Sequence, residues 1–329
     1  MVTQQDVAAR ASVSTTTVSH VINETRFVSE ELRERVYRAM EELDYRPNAI
    51  ARSLRRKQSR QIAVVVPDIA YPFLAEVARG IESAGSRLGY NVIFCSTHRD
   101  RVKEQACLDL ARTKQVDGIV ILGEGPDSKQ VTALLERGTP LVSCNRQLQG
   151  VAVDTVIADN ERAGYEATRH LVGLGHQRVA CVAGFPEIAI SGMRLGGYRR
   201  ALGELGIPVR EALIAREDFG NRGGYEAMNR LLDLAEPPTA VFACNDLMAM
   251  GAICAASKRS LRVPRDVAIM GCDDIALAAF TNPSLTTVAL PKHRLGASAV
   301  ELLIHRIENG SQAVERQVLP VHLVIRDSC

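Results

Sequence analysis

The sequence predicts an α/β protein in which a small three-helix head precedes a body of two parallel-sheet lobes. Three observations carry this. From Gln61 onward, apolar runs of strand length alternate with stretches at helical spacing, in two successive sets. Residues 3–45 hold three short helical patterns and nothing strand-like. Between the two textures lies a block, 46–60, with six basic residues and no acid. Strands that are apolar throughout are buried on both faces, the mark of a parallel sheet with helices on each side.

The elements follow in order. Thr3-Gln4-Gln5-Asp6 is a helix-start signal, with Val7, Ala8 and Ala11 behind it. Ser14 can cap a second helix with apolar positions Val18, Val21 and Ile22. Ser29-Glu30-Glu31 opens a third, with Leu32, Val36, Met40 and Leu43 at helical spacing, and it stops before Pro47. In the body, strand-like runs fall at 62–66, 92–95, 118–122 and 141–144, then at 179–183, 240–244 and 267–270. Helical patterns include 73–88, 161–174, 224–234 and 247–257. A last helical pattern at 294–307 and one final strand-like run at 318–325 can belong to either lobe.

Composition narrows the class. The 329 residues suffice for two or three domains with sizeable cores. No apolar run approaches the roughly 18 residues of a membrane span, and the first residues lack the charged-then-apolar order of a secretory signal. The eight Cys are scattered, with no C-x-x-C pair and most of them in apolar runs, which reads as reduced, buried thiols in a cytoplasmic protein. Net charge is +2 overall, but residues 1–60 carry 11 Lys/Arg against 8 Asp/Glu, while the remainder is close to neutral. A basic block at that junction suits a polyanion.

Enzyme motifs are missing. There is no G-x-x-x-x-G-K-[ST], no strand followed by G-x-G-x-x-G, no H-E-x-x-H and no G-x-S-x-G. The seven His are dispersed, and Asp273-Asp274 on a strand would point to opposite sides. No catalytic residue, metal site or cofactor is expected.

The head carries a positive signal. Val7-Ala8-Ala9-Arg10-Ala11-Ser12-Val13-Ser14, then Thr15-Thr16-Thr17-Val18-Ser19-His20-Val21-Ile22-Asn23, reads as a helix-turn-helix. In that motif the start of the second helix meets base edges in the major groove. Ser14, Thr15 and Thr16 are short and polar there, and His20 lies one turn on from Thr16, within reach of a purine acceptor.

With these residues in view, the chain resembles the LacI/GalR family of transcription repressors along essentially its whole length. The most specific pieces are residues 13–23, Arg46-Pro47-Asn48-Ala49-Ile50-Ala51-Arg52-Ser53-Leu54, Asn245-Asp246-Leu247-Met248-Ala249 and Pro283-Ser284-Leu285-Thr286-Thr287. Within the family the head is most similar to the purine and ribose repressors. The resemblance implies a helix-turn-helix domain at 1–46 and a hinge helix and linker at 47–60. It implies a periplasmic-binding-protein-like body, with one lobe from 61–160 and 291–320 and the other from 161–290 and 321–329. Arg26 and Tyr45 join the DNA-contacting set. The hinge would order only on operator DNA, beside that of its dimer mate. Leu54 would wedge into the central base step, with Arg55 along the minor groove.

The resemblance also implies an effector cleft at the carboxyl ends of the strands, lined by Tyr71, Phe73, Leu74, Asn145, Arg146, Arg194, Phe219, Asn245 and Asp273. Ile188 and Ile190 stand where the purine repressor uses polar and charged side chains, and Leu290 where sugar binders often have Gln. Two arginines beside one acid suit a sugar, a sugar acid or a similar effector. Arg194→Ala is expected to abolish the response and leave effector-free folding intact. The expected partners are operator double-stranded DNA, a small-molecule effector and a second copy of the chain. A dimer is favoured because no leucine-heptad tail follows the last strand pattern. No membrane is expected. The rival class is an α/β binding protein or enzyme with an incidental basic head, which would show no salt-dependent binding to duplex DNA.

Overall fold

The computed structural model describes residues 2–23, 26–46, 58–113, 115–148, 150–186, 188–310 and 313–329, in two units, 1–60 and 61–329. Leu54 and Arg55 lie outside the described residues.

The head holds α1 (Gln4–Ala11), α2 (Thr15–Asn23) and α3 (Glu30–Glu42). Thr3 and Asp6 form a reciprocal capping box at the start of α1, satisfying two amides that the helix leaves bare. Ser12 turns the chain in a left-handed conformation. The Ser14 hydroxyl then accepts from the Thr17 amide at 3.0 Å and opens α2. Val7, Ala8, Ala11, Val18, Val21, Val36 and Ala39 make one small core. Arg35 donates to the Ala11 and Ser12 carbonyls at 2.6 and 3.0 Å, closing the end of α1 where carbonyls lack partners.

The body holds two six-stranded sheets. The first runs β11-β5-β4-β3-β1-β2, with β1 (Gln61–Val66), β2 (Asn91–Ser96), β3 (Gly118–Leu122), β4 (Leu141–Cys144), β5 (Asp154–Ala158) and β11 (Arg316–Leu319). All its pairings are parallel. The second runs β12-β10-β9-β8-β6-β7, with β6 (Val179–Gly184), β7 (Ile214–Glu217), β8 (Ala240–Ala243), β9 (Ala268–Asp273), β10 (Thr286–Ala289) and β12 (His322–Val324). Only the β10–β12 pairing is antiparallel.

The helices between them are α4 (Pro72–Arg87), α5 (Arg101–Arg112), α6 (Ser128–Leu135), α7 (Asn160–Gly173), α8 (Ala189–Glu204), α9 (Asn221–Leu232), α10 (Asp246–Lys258) and α11 (Lys292–Asn309). The chain changes sheet three times: after β5, after β10 and between β11 and β12.

That last change corrects the single final strand expected at 318–325. Pro320 has no amide to donate, so the run breaks there into two strands that join different sheets. A second correction concerns the thiols. Cys95 and Cys107 are joined in a disulfide, with Cα atoms 6.3 Å apart. Cys95 lies on the edge strand β2 and Cys107 on the buried face of α5, which folds back against that strand. Cys144, Cys181, Cys244 and Cys272 are free and buried.

Three helix pairs approach closely through facing glycines. A Cβ on Gly80 would meet the His293 carbonyl of α11, and one on Gly296 would meet the Val77 carbonyl of α4. The same reciprocity holds for Gly164 with Gly197 across α7 and α8, and for Gly224 with Gly251 across α9 and α10. No described helix is long and apolar enough to cross a membrane.

Candidate functional site

On the head, Ser14, Thr15 and Thr16 are exposed at the amino end of α2, and His20 is half-buried one turn further on. Val18 and Val21 hold the other side of the helix in the core, so the polar face is presented on a fixed support. Arg26 is exposed and Tyr45 is half-buried, packed against the head core.

In the body, a cavity of about 300 Å³ lies between the two sheets. The first sheet contributes Pro67 and Asp68 after β1, His98 and Arg99 after β2, Gly123 and Glu124 after β3, and Asn145 after β4. Tyr71, Phe73 and Leu74 come from the start of α4. The second sheet contributes Ile188, Ile190 and Arg194 at α8, Phe219 after β7, Asn245 after β8 and Asp273 at the end of β9. Every strand named here delivers its residue from the carboxyl end, where loops converge in parallel sheets.

The polar groups are held under strain. Asn145 has φ 54°, and Asp273 and Asp274 have φ 121° and 52°. Such backbone persists only where the surroundings over-determine it. The Asn145 side-chain oxygen is buried and finds no hydrogen-bond donor among the described residues. Lys292 donates to the carbonyls of Asp273, at 2.8 Å, and Asp274, and stands 3.6 Å from Glu76. It thereby ties the kinked end of β9 to α4 of the other sheet.

Arg194 is only 1% exposed. It reaches Asp273 at 2.9 Å, donates to Asn160 Oδ1 at 2.9 Å and bonds the Cys244 carbonyl. Burial pushes the Asp273 carboxyl up, and the Arg194 guanidinium pulls it back. Asn245 caps α10 by accepting from the Met248 amide at 2.7 Å, and donates to the Phe219 carbonyl at 2.9 Å. It therefore fixes the loop that carries the Phe219 ring. Asp246 beneath it accepts from the Thr287 hydroxyl at 2.5 Å and the Ile275 amide at 2.8 Å. Burial, then the neighbouring Asp273 carboxylate, raises Asp246 to about 7.

Eight of the nine body residues singled out from sequence line this one cavity; Arg146 does not. It donates to the Pro126 carbonyl at 3.1 Å and stands 3.8 Å from Glu124, bracing the loop after β3. Leu290 is buried and does not line the cavity either. Sequence reading missed Asp68, His98, Arg99 and Glu124. Their signal was position alone: each lies in the loop just beyond a predicted strand. Among the described residues, no cluster of three His, Cys, Asp or Glu is placed to hold a metal ion.

A helix-turn-helix with an exposed polar face on one unit and a polar-and-aromatic cavity in the other define a ligand-responsive transcriptional repressor. Comparison with known proteins agrees. Residues 3–48 match the lacI family of bacterial regulatory proteins, and residues 168–329 match the periplasmic binding protein-like domain. The HTH-type transcriptional repressor PurR of Proteus mirabilis is 41% identical over 326 residues, 98% of this chain and 94% of that protein. The regulator CelR in complex with cellobiose superposes with a TM-score of 0.78 at 34% identity, covering 100% of both chains. The lac repressor dimer bound to operator and the anti-inducer ONPF superposes with a TM-score of 0.88 at 30% identity, covering 99% of this chain and 98% of that one. The chain belongs to the LacI family. Its relatives are repressors and not enzymes.

Proposed function

We propose that this repressor works in the cytoplasm as a homodimer on a near-palindromic operator and senses a sugar or sugar derivative. The carrying observation is the interlobe cavity. Tyr71, Phe73 and Phe219 offer ring faces, while Asn145, Asn245 and Asp273 offer polar atoms at three strand ends. Aromatic faces beside side-chain acceptors suit a ring bearing hydroxyls. The likeness to a cellobiose-bound regulator supports the same class. Arg194 acts as the brace that aims Asp273. Arg99, and not Arg146, is the second guanidinium at the cavity, which suits a sugar acid.

A second reading is a purine-type effector, favoured by the 41% identity with PurR along nearly the whole chain. Ile188 and Ile190 weigh against it, because they put apolar surface where a base edge needs partners.

The DNA side rests on Ser14, Thr15, Thr16 and His20 as base readers, with Arg26, Tyr45 and Arg55 on the backbone and groove. Leu54 is the wedge between the paired hinges. The dimer follows the lac repressor, which holds its operator as one.

The test is a thermal-shift panel of sugars, sugar acids, purine bases and nucleosides on the full chain. A ligand at 100 times its Kd adds about 2.7 kcal/mol of stability. A shift by a sugar or sugar acid is expected. A shift by purine bases alone would replace the reading with its rival.

A further inference from the structure

We propose that Cys95 and Cys107 are a reversible oxidation site that locks one wall of the effector cavity. The inference rests on the reading of that cavity as the effector site. The two residues bracket the segment 96–106, which holds the arm Thr97-His98-Arg99 and the first turns of α5. His98 and Arg99 both line the cavity.

The arm is an unusual piece of backbone. His98 and Arg99 are consecutive residues in the left-handed region, at φ 51° and 60°. Neither is glycine, so both are held there by their surroundings. On one side the arm is tied to the end of β1: the Thr97 and His98 amides donate to the Val66 and Pro67 carbonyls at 3.0 and 2.7 Å. On the other side Asp100 caps α5, accepting from Val102 and Lys103 at 2.8 and 3.3 Å. The disulfide is the covalent tie that fixes α5 to β2 and so holds both ends of the arm.

The chemistry balances with a peroxide as oxidant. Two S–H bonds break and one S–S bond forms, and the peroxide O–O bond takes up two electrons and two protons to give two hydroxyl products, water in the case of hydrogen peroxide. A dithiol reverses the step by exchange and is itself left as the disulfide. Cys95 sits on the edge strand and is only half-buried, so a small reagent has a path to the pair. In a reducing compartment such a bond forms on oxidation and is not a permanent staple.

The experiment compares full-length wild type after hydrogen peroxide and after dithiothreitol, with no effector present. Peptide mapping is expected to find Cys95 linked to Cys107 after peroxide and both thiols alkylatable after dithiothreitol. Amide exchange over residues 97–104 is expected to be at least tenfold faster in the reduced protein, with β3, β4 and the second sheet unchanged. Cys95→Ser with Cys107→Ser should exchange like the reduced form in either reagent. Thiols that stay alkylatable after peroxide, or equal exchange over 97–104 in the two states, would overturn the proposal. Neither readout needs an effector, so the outcome stands apart from whether the ligand is a sugar.

Discussion

Arg194 shows how a cavity-lining residue can be structural at the same time. Its guanidinium is enclosed and spends its donors on Asp273, Asn160 and the Cys244 carbonyl. Removing it strands a carboxylate in the interior, which costs about 3–5 kcal/mol. Arg194→Ala is therefore expected to lower the midpoint of urea unfolding markedly, contrary to the sequence-based expectation of intact folding. A midpoint within experimental error of wild type would refute this. Asp246 gives a pH prediction. Its folded pKa, about 7, lies above the ordinary 3.8. The folded state thus holds its proton more tightly, and that contribution is complete below about pH 4 and is lost as pH rises through 7. The loss is about 1.4 kcal/mol per unit of pKa difference. Asp246→Asn should flatten the fall in unfolding free energy between about pH 4 and 7. An identical pH slope in the variant would show that another group carries it.

At the scale of elements, the proposed function assigns α2 and the hinge separate parts in the reading of DNA. Thr16→Ala and His20→Ala should each weaken specific operator binding by about 1–3 kcal/mol while random duplex binding holds steady. Leu54→Ala should instead lose discrimination at the central base step, where unstacking is easiest at a pyrimidine–purine pair. Competition binding with operators altered only at the centre separates the two. Equal sensitivity of wild type and Leu54→Ala to the centre would remove the wedge.

The helices of the head were legible because their caps and apolar spacing are local: Thr3, Ser14 and Ser29 all stand where the helices begin. Seven strands were legible as apolar runs. β5, β7 and β10 were not, since Asp154, Arg216 and Thr286 interrupt or open short segments whose burial comes from the neighbouring strands. In the cavity, Asn145 and Asp273 were found through family resemblance, whereas His98 and Arg99 carry no residue-type signal. The Cys95–Cys107 bond was hidden because the strand end, arm and helix spanning a sequence separation of 12 must fold back before the two meet.

At the scale of the molecule, the lobes are interleaved along the chain. α11 packs on β3, β4 and β5, although it follows them by a whole lobe. A chain ending after Leu290 lacks α11, β11 and β12, and with them the buried Leu295, Val300 and Leu303. Its body is expected to show no cooperative thermal unfolding, while the far-ultraviolet signal of the head helices persists. A sharp body transition in that truncated chain would contradict the interleaving as the basis of stability.

The same threading has a consequence on the ribosome. The head needs only its first few dozen residues, so it is complete early. The apolar face of β3, β4 and β5 emerges by Ala158, but its cover, α11, begins at Lys292. At about 5–20 residues per second, that face waits on the order of ten seconds without its helix. Each newly made copy therefore passes through a window in which its three-helix head can already be folded while the face of β3, β4 and β5 is still without α11.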